Sequence, residues 1–114
     1  MAETTQTTPL GELEQLILLA ILRQGPEAYG LCIARELEAQ AGRRLSRGAL
    51  YTTLDRLEAK GLVRWKLEAG GPERQALPKR VYSVLPRGIA ALRTSQQVLR
   101  RMWRGLGHIL RDPS

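Results

Sequence analysis

The 114-residue sequence predicts a mainly α-helical domain with a small β-hairpin. Three observations support this fold class. Apolar residues recur at spacings of three and four over most of the chain, two short segments alternate with a period of two, and the last part carries a seven-residue leucine repeat. The composition, 43% apolar and 25% charged, suits one hydrophobic core. The single cysteine excludes an intrachain disulfide.

The first predicted helix begins at Leu10, after a polar tail over residues 1–9, and ends before Gly25 and Pro26. Apolar residues lie nearly all the way round this helix, so we expect it to be covered on two sides. In so small a protein, the second cover is expected to come from another subunit. The side chains of this helix assigned to the dimer interface are Leu18, Leu19 and Leu22.

The next two predicted helices form a helix-turn-helix pair. The second covers residues 28–41 with Gly42 as its stop, and the third begins at Ser46, a good N-cap, and runs to about Lys60. Gly30 either allows a close approach by another backbone or weakens the second helix. The residues on the outer face of the third helix are small and polar. Such a face suits either close contact with another macromolecule or ordinary exposure to solvent. That face carries Gly48, Thr52, Asp55 and Ala59, flanked by Tyr51 and Arg56.

Residues 62–68 and 79–85 alternate with a period of two and predict two strands joined by a long loop. Helix, helix, helix, strand and strand is the order of a winged helix-turn-helix, whose third helix enters the DNA major groove. We therefore expect residues 10–85 to form a winged helix-turn-helix DNA-binding domain, with the hairpin as its wing.

A fourth helix is predicted from Pro86, because proline suits the first position of a helix. Its leucines repeat every seven residues, so we expect residues 86–114 to form a C-terminal dimerisation helix. Gly105 and Gly107 either end or bend it. The residues assigned to its side of the dimer interface are Leu92, Leu99, Met102, Trp103 and Leu106.

The formal net charge of +7 is distributed unevenly along the chain. Residues 1–42 carry −4 and residues 43–114 carry +11. This asymmetry points to a polyanionic partner, with a solvated basic surface as the alternative. Asp55 is expected either to accept a hydrogen bond from a cytosine N4 group or to orient Arg56. The predicted DNA-contact residues are Arg43, Arg44, Arg47, Tyr51, Thr52, Arg56, Lys66, Arg74, Lys79 and Arg80.

Three segments of the sequence form a recognisable set: LGELEQL at residues 10–16, AYG at residues 28–30, and residues 46–63 with their Leu-Tyr-x-x-Leu-x-Arg-Leu-Glu string. Together they resemble the PadR family of bacterial transcriptional regulators. The resemblance covers roughly residues 10–92, and the short C-terminal part is similar to the smaller PadR-like subfamily. It implies a homodimeric repressor in which the first and last helices build the dimer interface.

The resemblance also implies a small aromatic or drug-like effector. Some PadR-like relatives hold planar drugs between aromatic side chains of their terminal helices. Trp103 lies on the corresponding helix, about one turn from the equivalent position, and the alternative role for it is packing at the dimer interface.

The sequence contains almost no motif that indicates catalysis. The sequence has one histidine, His108, and neither a phosphate-binding loop nor a converging set of metal ligands, so we expect no enzyme activity, no metal and no cofactor. The leading expectation is a repressor that binds a palindromic operator in double-stranded DNA as a homodimer. The alternative is a winged-helix protein-interaction module. Without a signal peptide or a membrane-length apolar run, the sequence predicts a cytoplasmic protein.

Overall fold

The computed structural model describes residues 9–69 and 78–111, and it confirms a mainly helical fold with a small hairpin. Residues 1–8 of the predicted tail and residues 70–77 of the predicted loop, with Arg74, lie outside the described residues. A short 3₁₀ turn at Gly25–Glu27 joins the first two helices. The elements are α1 (Glu12–Gln24), α2 (Gly30–Ala41), α3 (Arg47–Ala59), β1 (Val63–Glu68), β2 (Lys79–Val84), α4 (Pro86–Trp103) and α5 (Gly107–Leu110).

The starts of the first two helices lie two residues later than predicted. Leu10 packs into the core, and the extended backbone of Gly11 donates its N–H to Glu14 Oε1 at 2.9 Å, so α1 begins at Glu12. Tyr29 is likewise extended after the 3₁₀ turn, and α2 begins at Gly30. In both places an apolar or aromatic residue, predicted as helical, sits just before the helix.

The boundaries of the helix-turn-helix pair follow the sequence signals. Gly42 adopts a left-handed conformation with φ of 65° at the end of α2, which a residue with a Cβ adopts at a cost. The Ser46 hydroxyl accepts a hydrogen bond from the Ala49 N–H at 3.0 Å, as an N-cap does. Helix α3 therefore has a fixed start immediately after a fixed turn.

The core lies where α1 crosses the other elements, and it corrects one predicted interface residue. Leu18 is 0% exposed and belongs to this core, so its assignment to a second subunit is wrong. The reason is that α1 contacts α2, α3, β2 and α4 of its own chain, which leaves less of it for a partner than expected. Leu19 and Leu22 remain exposed. The largest fully buried side chains are Tyr82, Ile17, Leu18, Ile33, Leu54, Leu57 and Val63.

The two strands pair antiparallel, from Val63 opposite Val84 to Glu68 opposite Lys79. A backbone hydrogen bond fastens the hairpin to the segment just before α2, because the Tyr82 N–H donates to the Ala28 carbonyl at 3.0 Å. Both Val81 and Tyr82 are buried, so β2 is covered on two sides at this point, where alternation predicted one solvent-exposed face.

Helix α4 begins at Pro86 as predicted but ends at Trp103, not in the last residues of the chain. Gly105 takes a φ of 81°, which turns the backbone, and the short α5 follows. Of the two outcomes that the sequence left open at Gly105 and Gly107, α4 therefore ends before Gly105, and Leu106 lies between the two helices. Among the described residues, no helix is long and apolar enough to cross a bilayer.

Candidate nucleic-acid interface

The outer side of α3 is exposed, as predicted, and carries little bulk. Its small and polar residues are all open to solvent, so another molecule could approach the helix backbone closely. Arg56 beside them is also exposed, whereas Tyr51 is half-buried. The name α3 face is used below for the surface formed by Gly48, Thr52, Asp55 and Ala59.

Tyr51 owes its position to Gly30. A Cβ added at Gly30 would lie 2.2 Å from the Tyr51 hydroxyl oxygen, so the phenol ring rests directly on the backbone of α2. The close approach that the glycine allows is therefore by a side chain from α3, where the sequence suggested a backbone. Tyr51 both packs against α2 and forms part of the exposed surface beside the α3 face.

A depression beside Tyr51 gathers three of the predicted cations, Arg47, Lys79 and Arg80. Arg47 comes from the first turn of α3, and the other two from the first residues of β2. These residues belong to two different elements, and the fold brings their positive charges together around one depression. The cationic depression is lined by Tyr29, Gly30, Leu31, Arg47, Tyr51, Pro78, Lys79 and Arg80.

Tyr29 attaches the outer end of the hairpin to the start of α2. Its hydroxyl donates to Glu68 Oε1 at 3.1 Å, and Lys79 Nζ lies 5.0 Å from the centre of its ring. Glu68 and Lys79 are also partners across the two strands. The hydrogen bond to Glu68 raises the pKa of the Tyr29 hydroxyl, so the phenol stays protonated and can donate at neutral pH.

Arg80 is held from two sides. Its guanidinium carbon lies 4.1 Å from the centre of the Trp65 ring, and its Nη1 lies 4.0 Å from Asp55 Oδ1. The Trp65 indole N–H in turn donates to Glu58 Oε1 at 3.1 Å. Asp55 therefore faces Arg80 of the hairpin, where the sequence suggested Arg56 as its partner.

Tyr82 lies behind this cluster with its hydroxyl in the protein interior. Within the described part of the chain, that hydroxyl makes no hydrogen bond. Burial raises its pKa, and the neighbouring Arg80 only partly offsets the rise. The group therefore remains neutral at physiological pH.

The other predicted DNA contacts are placed elsewhere. Arg43 Nη1 lies 3.3 Å from Glu12 of α1, and Arg44 Nη2 lies 3.1 Å from Glu38 of α2, so both point their charge toward acids of the scaffold. Lys66 is exposed and pairs across the strands with Val81, and it is not among the residues that line the depression. The structure thus does not bring these three cations into the cationic depression.

The residues that sequence reasoning missed are those that hold the cations: Tyr29, Glu58, Trp65 and Glu68. Tyr29 was visible in the AYG segment, but its contacts depend on how the hairpin folds back. In residues 9–69 and 78–111, no group of three or more His, Cys, Asp or Glu is arranged to hold a metal ion.

A second surface, on α1 and α4, is apolar. Leu19 and Leu22 of α1 and Leu99 of α4 are 44%, 45% and 49% exposed, and together with Ile89 and the half-buried Leu92 they line one groove. Farther along, Met102, Trp103 and Leu106 are also exposed. The name α1–α4 face is used below for Leu19, Leu22, Leu99, Met102 and Trp103.

Comparison with known proteins identifies the family to which the chain belongs. The sequence model of the transcriptional regulator PadR-like family matches residues 18–94, which run from the middle of α1 to the middle of α4. The chain belongs to this family. PadR-like proteins are transcriptional regulators, not enzymes, and the family assignment confirms the resemblance found in the sequence.

Solved PadR structures share the fold. A PadR family regulator from Eggerthella lenta is 26% identical, with a TM-score of 0.64 over 88% of this chain and 87% of its own. A regulator from Clostridium difficile R20291 is 21% identical, with a TM-score of 0.70 over 88% of this chain and 99% of that one. Bacillus subtilis PadR, solved in complex with operator DNA, is 24% identical, with a TM-score of 0.62 over 75% of this chain and 47% of that protein. The winged helix-turn-helix fold of this PadR-like protein is thereby confirmed.

A curated relative is also similar over a shorter stretch. An uncharacterised 37.1 kDa protein in transposon Tn4556 of Streptomyces fradiae is 45% identical over 60 residues. The match takes in 53% of this chain but 17% of that protein. The chain therefore corresponds to a small part of this relative.

Proposed function

We propose that this PadR-like regulator is a repressor that binds a palindromic operator in double-stranded DNA as a homodimer. The observation that carries the proposal is the joining of the α3 face to the cationic depression. Small side chains let α3 enter the major groove, which is about 12 Å wide. Arg47, Lys79 and Arg80 stand beside it where phosphates would pass.

The two kinds of contact divide the work of recognition. Cations that meet phosphates set affinity and register without reading sequence, whereas side chains on the α3 face reach base edges. Tyr51, Thr52 and Arg56 are the proposed groove-side residues. Bacillus subtilis PadR, which shares the fold, has been solved in complex with operator DNA, and this supports DNA as the partner.

The α1–α4 face supports the homodimer. Exposed apolar side chains on two helices are covered when two copies associate, and a two-fold axis through them would present two α3 helices. Major-groove readers of this kind contact half-sites about 34–36 Å apart, and their operators mirror the two-fold symmetry. Repression follows where such an operator overlaps a promoter, because the bound dimer occludes it.

The proposal is tested by selecting an operator from random DNA and titrating binding by gel shift with nonspecific competitor. Affinity should fall steeply with salt, and Lys79→Ala should lower the salt slope by about one unit. Arg100→Ala, which removes an exposed cation from α4, is the matched control and should leave the slope unchanged. Binding that does not depend on salt, or no DNA binding at all, would favour the protein-interaction alternative.

An effector site at Trp103 is the remaining part of the proposal. Trp103 is 50% exposed at the end of α4, next to Met102, so its ring is available to stack on a planar aromatic ligand at the dimer centre. In a Trp65→Phe protein, quenching by a planar dye would report on Trp103 alone. Loss of DNA binding on addition of the same dye would support an effector role, and quenching without release would contradict it.

A further inference from the structure

Four side chains close a ring between α3 and the hairpin. Glu58 accepts from the Trp65 indole at 3.1 Å, the Trp65 ring stacks under the Arg80 guanidinium at 4.1 Å, and Arg80 reaches Asp55 at 4.0 Å. Asp55 and Glu58 are three residues apart on α3, so they lie on neighbouring positions of one helix surface. The ring therefore fixes where the Arg80 charge stands relative to the α3 face.

The ion pair within the ring, between Asp55 and Arg80, remains accessible. The side chains of Asp55 and Arg80 are 64% and 42% exposed, and their closest charged atoms are 4.0 Å apart. An exposed pair at this separation is weak, so a DNA phosphate can take the place of the carboxylate beside Arg80. Trp65 would keep the guanidinium in position while this exchange takes place.

Asp55 is an acid in the middle of a surface proposed to meet DNA. Phosphates and the many acceptor atoms on base edges repel a carboxylate, so the residue costs affinity wherever it meets no donor. In the major groove, the N4 amino group of cytosine is a donor that suits a carboxylate. A residue of this kind therefore distinguishes DNA sequences by what it rejects as much as by what it binds.

We propose that Asp55 is a specificity-determining residue that exchanges Arg80 for a cytosine N4 amino group when α3 enters the operator. This inference rests on the proposed function. In the free protein Asp55 holds Arg80; on the operator Arg80 turns to a phosphate and Asp55 accepts from the base. On DNA without that donor, the carboxylate is left facing electronegative atoms and binding is weakened.

The test compares Asp55→Asn with Glu58→Gln in the full chain. Both substitutions remove one negative charge from exposed positions of α3, and glutamine at position 58 can still accept from Trp65. Dissociation constants for the selected operator and for random DNA are measured by fluorescence anisotropy. Both variants should bind random DNA somewhat more tightly. Asp55→Asn should also reduce the sequence specificity, which is the dissociation constant for random DNA divided by that for the operator. The expected reduction is about tenfold, the scale of one lost base contact.

A second selection from random DNA identifies the base. With Asp55→Asn, the preference at one base pair in each half-site should change from cytosine to adenine, which asparagine reads through N6 and N7. Arg80→Gln should weaken operator and random DNA by the same factor and lower the salt slope by about one unit.

The proposal is overturned if Asp55→Asn and Glu58→Gln change the affinity ratio equally, or if the selected sequence is unchanged in Asp55→Asn. Either result would make Asp55 a surface charge without a part in base recognition. A wild-type protein that binds the selected operator keeps the proposed function intact in those cases. If the wild-type protein binds no DNA, the proposed function itself has failed. Circular dichroism confirms that the exposed substitutions leave the fold unchanged.

Discussion

The α3 face and the α1–α4 face differ in whether the side chains on and beside them have contact partners within a single chain. Beside the α3 face, two of the three cations have partners within the fold: Lys79 lies over Tyr29, and Arg80 lies between Trp65 and Asp55. On the α1–α4 face, large apolar side chains such as Leu99 and Met102 are open to solvent in a single chain. This difference fits the roles proposed above, a polyanion beside the α3 face and a second copy of the chain on the α1–α4 face.

One ion pair connects the two regions. Lys60, at the end of α3, places Nζ 2.7 Å from Glu14 Oε2 of α1, and the other carboxylate oxygen accepts from the Gly11 N–H. Glu14 is buried, so this carboxylate is among the few charges inside the protein. Burial alone would raise the pKa of Glu14, but the hydrogen bonds from Lys60 and Gly11 outweigh it and lower that pKa below its ordinary value.

The largest expected effect comes from breaking the apolar surface. Leu99→Asp places a charge at the centre of the α1–α4 face, where a second copy would have to bury it. We expect sedimentation to show a monomer. The dimer dissociation constant should rise by at least about a hundredfold, as expected for a substitution that disrupts a central interface residue. Operator binding should weaken with it, because one chain presents one α3 helix.

Leu67→Asp is the matched control, since Leu67 is also an exposed leucine and lies on β1, away from that face. It should sediment as the wild-type protein does. A dimeric Leu99→Asp protein would show that the α1–α4 face is not the interface. Leu106→Asp then separates α4 from the turn that follows it: a monomer would extend the interface beyond Trp103, and a dimer would end it there.

An intermediate effect is expected where the two regions are joined. Lys60→Met removes the partner of the buried Glu14 carboxylate and should lower the free energy of unfolding by about 1.5–3 kcal/mol at pH 7. Because the folded pKa of Glu14 is depressed, the stabilisation by the pair is present above the unfolded pKa near 4.5 and is lost as the pH falls through the lower folded value.

Urea denaturation at pH 7 and at about pH 3 measures this difference, which should be smaller at the lower pH. Lys66→Met, an equivalent change at an exposed lysine of β1, should alter stability little at either pH. A Lys60→Met protein whose loss of stability is the same at both pH values would show that the charge of Glu14 does not contribute.

Sequence patterns predicted the elements well because local chemistry decides them. Ser46 as a cap, Gly42 as a stop and Pro86 as a first helical residue each act within one turn, so neighbouring residues suffice to identify them. Leu18 was misassigned because its environment depends on the elements of the same chain that pack on α1, and those contacts are not visible in the local sequence pattern. The end of α4 was left open because glycine can either bend a helix or end it.

The site was predicted only in part, for a physical reason. Which cations stand together depends on the strand register, and the long connection between the strands leaves that register undetermined by sequence. The pairing of Trp65 with Tyr82 sets Arg80 beside Trp65 and near Asp55. Arg43 and Arg44 looked equally suited to phosphate, but acids of α1 and α2 engage them once the helices pack.

The smallest expected effect concerns how the helices of the two regions are capped at their first residues. The Ser46 side chain caps α3, whereas the residue before α4 is Leu85, whose side chain cannot accept a hydrogen bond. Ser46→Ala should therefore lower the free energy of unfolding by about 1 kcal/mol and leave operator affinity nearly unchanged. Ser46→Asp should do the reverse. Aspartate keeps the cap and suits the helix dipole, so stability is retained, but its charge stands in the exposed turn before Arg47 and repels phosphate. Thermal unfolding and operator titration of the two variants separate these contributions, and parallel losses in both measurements would mean that position 46 affects DNA binding only through the folding of α3.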